Sequence, residues 1–195
     1  MMQKQGSAPI YVSLEFTPNP NTLKYSINQI LLARGTANYT GLDKSRKESP
    51  LATALLETPG ISGVMIGKDF ITITKGNDAD WDQVHLSTSR MIEEHLGAQR
   101  PVFEEGFPRP SENLPKESSE SDIERKIREI LDRDIRPAVA MDGGDIIFNR
   151  YEDGTVYLEM HGSCSGCPSS TATLKMGIET RLKAAIPEIQ EVVSA

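Results

Sequence analysis

Apolar and polar side chains alternate from the first stretch onward. Ile10, Val12, Leu14 and Phe16 are interleaved with Tyr11, Ser13 and Glu15, a period of two that predicts a half-buried strand. Thr17-Pro18-Asn19-Pro20-Asn21-Thr22 breaks the pattern; its prolines lack ladder donors and its asparagines suit turn geometry. Leu23, Tyr25 and Ile27 then resume the alternation as a returning strand. Residues 33–48 are polar and show no period. Ser49-Pro50 opens a helix, serine as cap and proline in the first helical position, and Thr58-Pro59-Gly60 ends it. Gly63–Ile66, a Gly67-Lys68-Asp69 turn and Phe70–Thr74 read as a hairpin. An amphipathic helix follows over about 80–96, with Trp81, Val84, Thr88, Met91, Ile92 and His95 on one stripe.

Residues 99–120 read differently. Four of the twelve prolines (Pro101, Pro108, Pro110 and Pro115) fall there among Glu and Ser, the composition of a linker, with Phe103 and Phe107 as its large anchors. The pattern then restarts. Ser121 and Glu124 form a capping box, Ile123, Ile127, Ile130 and Leu131 give the helix a buried face, and Pro137 lies past its predicted end. Gly143-Gly144 turns the chain into a strand over 145–150. Glu152-Asp153-Gly154 is the hairpin turn, and Val156, Leu158 and Met160 alternate in the return. A helix from about Ser169 to Ala185, a break at Pro187 and a short strand near 189–193 complete an α-β-β-α-β order. The predicted class is α+β in two small domains. Residues 1–9 are a disordered start, 10–98 an α/β domain, 99–120 an acidic Pro-rich linker and 121–195 the α-β-β-α-β domain.

Composition narrows the function classes. The 195 residues are enough for two small cores. The net charge of −7 lies wholly in residues 101–195, with eleven Lys/Arg against eighteen Asp/Glu, while residues 1–100 are neutral. An acidic half lacks the positive stripe that phosphate backbones require, so no nucleic-acid partner is expected. No window has the apolar length of a membrane helix. Residues 1–9 contain neither a secretory core nor an Arg-rich presequence, from which a cytoplasmic location is expected. Nucleotide-loop, zinc-protease and serine-hydrolase motifs do not occur, so those three readings find no support.

Chemistry concentrates in the two cysteines, Cys164-Ser165-Gly166-Cys167. So few cysteines suit a reducing compartment rather than a disulfide scaffold. Both lie just before a helix, whose free N–H groups and partial positive charge favour thiolates. Three chemistries use such a pair. An iron–sulfur cluster normally takes four thiolates, so one chain would need a second. Zinc would need two more ligands, with His161 as the nearest candidate. Thiol–disulfide exchange also uses CxxC at a helix start. The spacing alone leaves all three open.

Longer runs of residues carry a family resemblance. Asp142-Gly143-Gly144-Asp145-Ile146, Gly162-Ser163-Cys164-Ser165-Gly166-Cys167-Pro168-Ser169-Ser170, Thr173-Leu174-Lys175 and Gly177-Ile178-Glu179 closely resemble the C-terminal domain of NifU/Nfu iron–sulfur scaffold proteins. Thr17-Pro18-Asn19-Pro20-Asn21, Ser49-Pro50-Leu51-Ala52, Gly63-Val64, Asp69-Phe70-Ile71-Thr72 and Trp81 resemble the N-terminal domain of the two-domain Nfu type. His161 and Ser163 depart from it, standing where Gln- and Ala-like residues are usual. The resemblance implies a non-catalytic scaffold or carrier. It would hold a labile cluster, 4Fe–4S or else 2Fe–2S, between the CxxC pairs of two protomers, with Cys164 and Cys167 as ligands. Its implied partners are a second protomer, an upstream assembly scaffold and apo iron–sulfur clients. Read from the residues alone, Asp142–Asp145 is a tight turn whose glycines supply positive φ.

Overall fold

The strand and helix periods lead to two sheets. The computed structural model describes residues 9–107, 121–165 and 168–194, with 168–171 by backbone alone. Most of the expected disordered start and the later part of the expected linker lie outside those residues. Strands β1 (Val12–Phe16), β2 (Thr22–Ile27), β3 (Ala37–Tyr39), β4 (Ile61–Ile66) and β5 (Phe70–Lys75) form an antiparallel sheet in the order β1-β2-β5-β4-β3. Helices α1 (Leu42–Glu48), α2 (Pro50–Leu56) and α3 (Trp81–Gly97) accompany it. Leu23, Tyr25, Ile71, Ile73, Val64 and Ile66 share one core with Leu51, Leu55, Val84 and Ile92. Phe16, expected to point inward, sits at the end of β1 and is 87% exposed. The cap at Ser49 forms as expected, its side chain accepting from the Ala52 amide at 3.1 Å with Pro50 in the first turn. The chain after α3 stays on this core. His95 Nε2 donates to the Pro101 carbonyl (2.9 Å), Ser49 Oγ to that of Val102 (2.6 Å), and Val102 and Phe103 pack on the first cluster.

The second sheet begins with α4 (Asp122–Ile130), whose capping box is present: the Ser121 hydroxyl accepts from the Glu124 amide, and the Glu124 carboxylate from that of Ser121. Pro137 does not lie beyond the helical rod. A π-helical turn over Leu131–Ile135 leads into α5 (Arg136–Met141), with Pro137 in its first turn. The wide turn restarts the hydrogen-bond pattern, so the proline ring and its missing donor fall where neither breaks the helix. Strands β6 (Gly144–Glu152) and β7 (Thr155–Gly162) form a hairpin. Its central residues, Asp153 and Gly154, both have positive φ, the type I′ turn that matches strand twist. Helix α6 (Pro168–Ala185) crosses over to β8 (Glu191–Ser194), parallel to β7. Ile127, Leu131, Ile146, Val156, Leu158, Ile178, Leu182 and Val192 form the second core.

One row of the first sheet joins the two parts. Lys24 on β2, Thr72 on β5 and Met65 on β4 are successive cross-strand partners. They point away from Tyr25, Ile71, Val64 and Ile66, yet all three are buried. Their cover is the turn between α5 and β6 together with the end of β7, where the cysteine motif begins.

Candidate functional site

Glycines shape the ground beneath the cysteine loop. Gly143, with φ +76°, ends α5 in the left-handed region that favours glycine. Gly144 opens β6 opposite Gly162, the last residue of β7. A Cβ on Gly144 would run into Cys164 Sγ, and one on Gly162 (φ +61°) would lie 2.5 Å from the Gly143 carbonyl oxygen. The loop then curls on its own backbone: Ser163 N donates to Gly143 O (3.1 Å), Cys164 N to His161 O (3.3 Å) and Ser165 N to Gly162 O (3.2 Å).

Cys164 stands as a thiol, is 7% exposed and packs in the second core. Its pKa is pushed up to about 11, first by burial and further by the charges of Asp142 and Asp145, against a lowering hydrogen bond with Ser163. The helix start was expected to favour the thiolate; burial of Cys164 acts in the opposite direction and favours the protonated thiol. Metal ligation therefore requires that proton to leave. Cys167 lies outside the described residues, and α6 begins at the next position, Pro168.

The carboxylate beside the loop is neutralised in place. Asp145 is 3% exposed and accepts from Arg136 Nε (2.9 Å) and the second Arg136 guanidinium nitrogen (3.0 Å). It also accepts from Thr36 Oγ1 (2.6 Å) and the Ile146 amide (2.8 Å). The turn reading of Asp142–Asp145 is therefore right for Gly143 and incomplete for Asp145. His161, weighed as a zinc ligand, has its Nε2 3.5 Å from a Glu159 carboxylate oxygen. No group of three His, Cys, Asp or Glu suited to a metal ion occurs among the described residues.

The first half also supplies residues to this site, which the sequence reading did not anticipate. Asn19, 2% exposed, holds its own turn by accepting from the Asn21 amide at its Oδ1 (2.9 Å). Its Nδ2 donates to the carbonyls of Ser163 (3.2 Å) and Ser165 (2.8 Å), the residues on either side of Cys164. Thr72 Oγ1 donates to Gly143 O (2.7 Å) and Lys24 Nζ to Met141 O (3.1 Å). The one available signal was an asparagine fixed between two prolines, an amide in a rigid turn.

Comparison with known proteins covers both halves. Residues 127–193 match the NifU-like domain family, and residues 12–99 match the family described as scaffold protein Nfu/NifU N terminal. Two fruit-fly proteins, each named NFU1 iron-sulfur cluster scaffold homolog, mitochondrial, are 36% identical over 191 residues, or 98% of this chain. They come from Drosophila ananassae and Drosophila yakuba and are covered to 66% and 67% of their own length. The chain thus spans about two thirds of the length of these relatives. Among solved structures, a Saccharomyces cerevisiae NifU-like protein aligns at 24% identity with a TM-score of 0.46, covering 54% of this chain and 93% of its own. A Staphylococcus aureus protein aligns at 27% identity with a TM-score of 0.38, covering 42% and 96%. The mitochondrial relatives overturn the cytoplasmic expectation and point to mitochondria; that expectation rested on the first nine residues and on the lack of a membrane-helix window. No helix among the described residues is long and apolar enough to cross a membrane.

Proposed function

The chain belongs to the NifU/Nfu family of iron–sulfur cluster scaffold proteins, and from that premise we propose that it carries a labile cluster as cargo, without catalysing a reaction. Cys164 and Cys167 are its ligands. One chain offers two thiolates and a cluster takes four, so a second protomer supplies the rest and the cluster, of the 4Fe–4S type, is shared between them. An upstream assembly scaffold delivers it, and ligand exchange passes it to apo-proteins. Residues 10–98 and 121–195 act as two domains joined by residues 99–120.

The observation that carries this reading is the cradle of Cys164. Gly144 has no side chain where the sulfur sits, and the loop backbone curls around it. This is room reserved for a thiol. Thiol–disulfide exchange and cluster binding both need the thiolate exposed, so the burial of Cys164 favours neither over the other. The relatives' own names give the cargo class.

The test is cysteine substitution. Cys164→Ala and Cys167→Ala, each reconstituted anaerobically with iron and sulfide, are expected to retain less than about a tenth of the native cluster, because each loses half the chain's thiolates. Circular dichroism should stay near that of the native protein. A Cys164→Ala protein holding stoichiometric iron and sulfide would overturn the assignment.

A further inference from the structure

The contact between the first sheet and the cysteine loop has a direction. Every side-chain donor named across it, from Asn19, Lys24, Thr36 and Thr72, belongs to the first half; every acceptor belongs to the second. Four acceptors are main-chain carbonyls at the end of α5 and in the loop, groups that water satisfies equally when the two parts separate. Met65 adds an apolar contact, its Sδ and Cε filling the space a Cβ on Gly162 would take. An interface of this polar kind is one that domains make and break.

Asn19 has a particular place in it. Its amide nitrogen bridges the carbonyls that flank Cys164 in sequence, so the loop is stapled from outside while the thiol is turned into the second core. A cluster shared by two chains needs thiolates that face outward to a common centre. The stapled loop and the shared cluster are therefore alternative states of the same residues.

We propose that the face of the N-terminal sheet away from its helices, through Asn19 and the Lys24–Thr72–Met65 row, is a clamp that holds the cluster-free cysteine loop closed, and that loading requires its release. This rests on the cluster-sharing function proposed above. The clamp would protect the thiol while the chain is empty and make access to it depend on the movement of one half against the other.

The experiment uses the full chain. In a Cys167→Ser background, the rate of Cys164 alkylation by iodoacetamide reports opening of the loop without any cluster. Asn19→Asp keeps the acceptor that Asn21 uses but replaces the donor with an oxygen facing two carbonyls. It is expected to raise the alkylation rate about fivefold or more, since loss of even one of its two hydrogen bonds to the loop produces about that change. Thr72→Val, which keeps shape and removes one donor, should raise it less. With both cysteines restored, the same substitutions should speed iron uptake. Rates equal to the parent in both variants would overturn the clamp. If Asn19→Asp fails to fold by circular dichroism, Thr72→Val decides alone. Faster alkylation with no iron uptake in parent or variants upholds the clamp and sinks the cluster reading; normal iron uptake with unmoved alkylation does the reverse.

Discussion

Three glycines set how closely the chain approaches Cys164. Gly143 and Gly162 need their left-handed backbone, and Gly144 needs to lack a side chain. Gly177 lies in the interior of α6 with nothing within 4 Å of where its Cβ would be. The two substitutions should therefore move in opposite directions. Gly144→Ala forces Cys164 from its place, should cost about 1–3 kcal/mol, and should reduce cluster retention. Gly177→Ala should stabilise by about 0.5–1 kcal/mol with retention unchanged. Urea denaturation and iron content together check both. At this scale the sequence shows the pair of cysteines plainly, since their spacing is the chemistry. It does not show Asn19, because a turn between two strands already accounts for an asparagine there. Only the packing of two distant segments gives its amide a second use.

Elements with strong periodicity were legible, and those without it were not. Helix α3 presents its apolar stripe and forms as expected, whereas β3 has three residues and α1 buries only Ser45, too little to leave a pattern in 33–48. The end of α3 carries a pH dependence. His95 is buried and donates to Pro101, and burial, then the charge of Arg100, holds its pKa below the ordinary value of about 6.5. The unfolded chain takes up this proton more readily, so the contribution is complete above pH about 6.5 and is lost as pH falls below it. Thermal unfolding between pH 7.5 and 5 should show that loss, and His95→Gln should flatten its slope. In the second sheet, Arg136 ties α5 to β6 through Asp145. The arginine side chain is 30% exposed and the aspartate 4%. Arg136→Ala leaves a buried carboxylate with two donors and should cost about 3 kcal/mol, the low end for breaking a buried pair. Lysine should restore only part of it, lacking the two-pronged geometry. Pro137 misled the reading of this region because the compensating π turn leaves no signature in sequence.

At the scale of the molecule, a sheet with both faces covered unites the parts. Helices cover one face; on the other, the end of α5 and the turn into β6 cover Lys24 and Thr72, and the end of β7 covers Met65. The apolar run Gly63-Val64-Met65-Ile66 is compatible with a strand buried twice over, but Lys24 and Thr72 in the same row conceal it, since they read as a wet face until their acceptors are known. The acidic half bears the site itself.

Sharing of one cluster between two chains is tested most directly by anaerobic reconstitution of the native protein, with iron, sulfide and mass in solution read on the same sample. About two irons and two sulfides per chain, with conversion to a dimer on loading, is the predicted result. A chain that takes up no iron, or one that holds a complete cluster as a monomer, would contradict it.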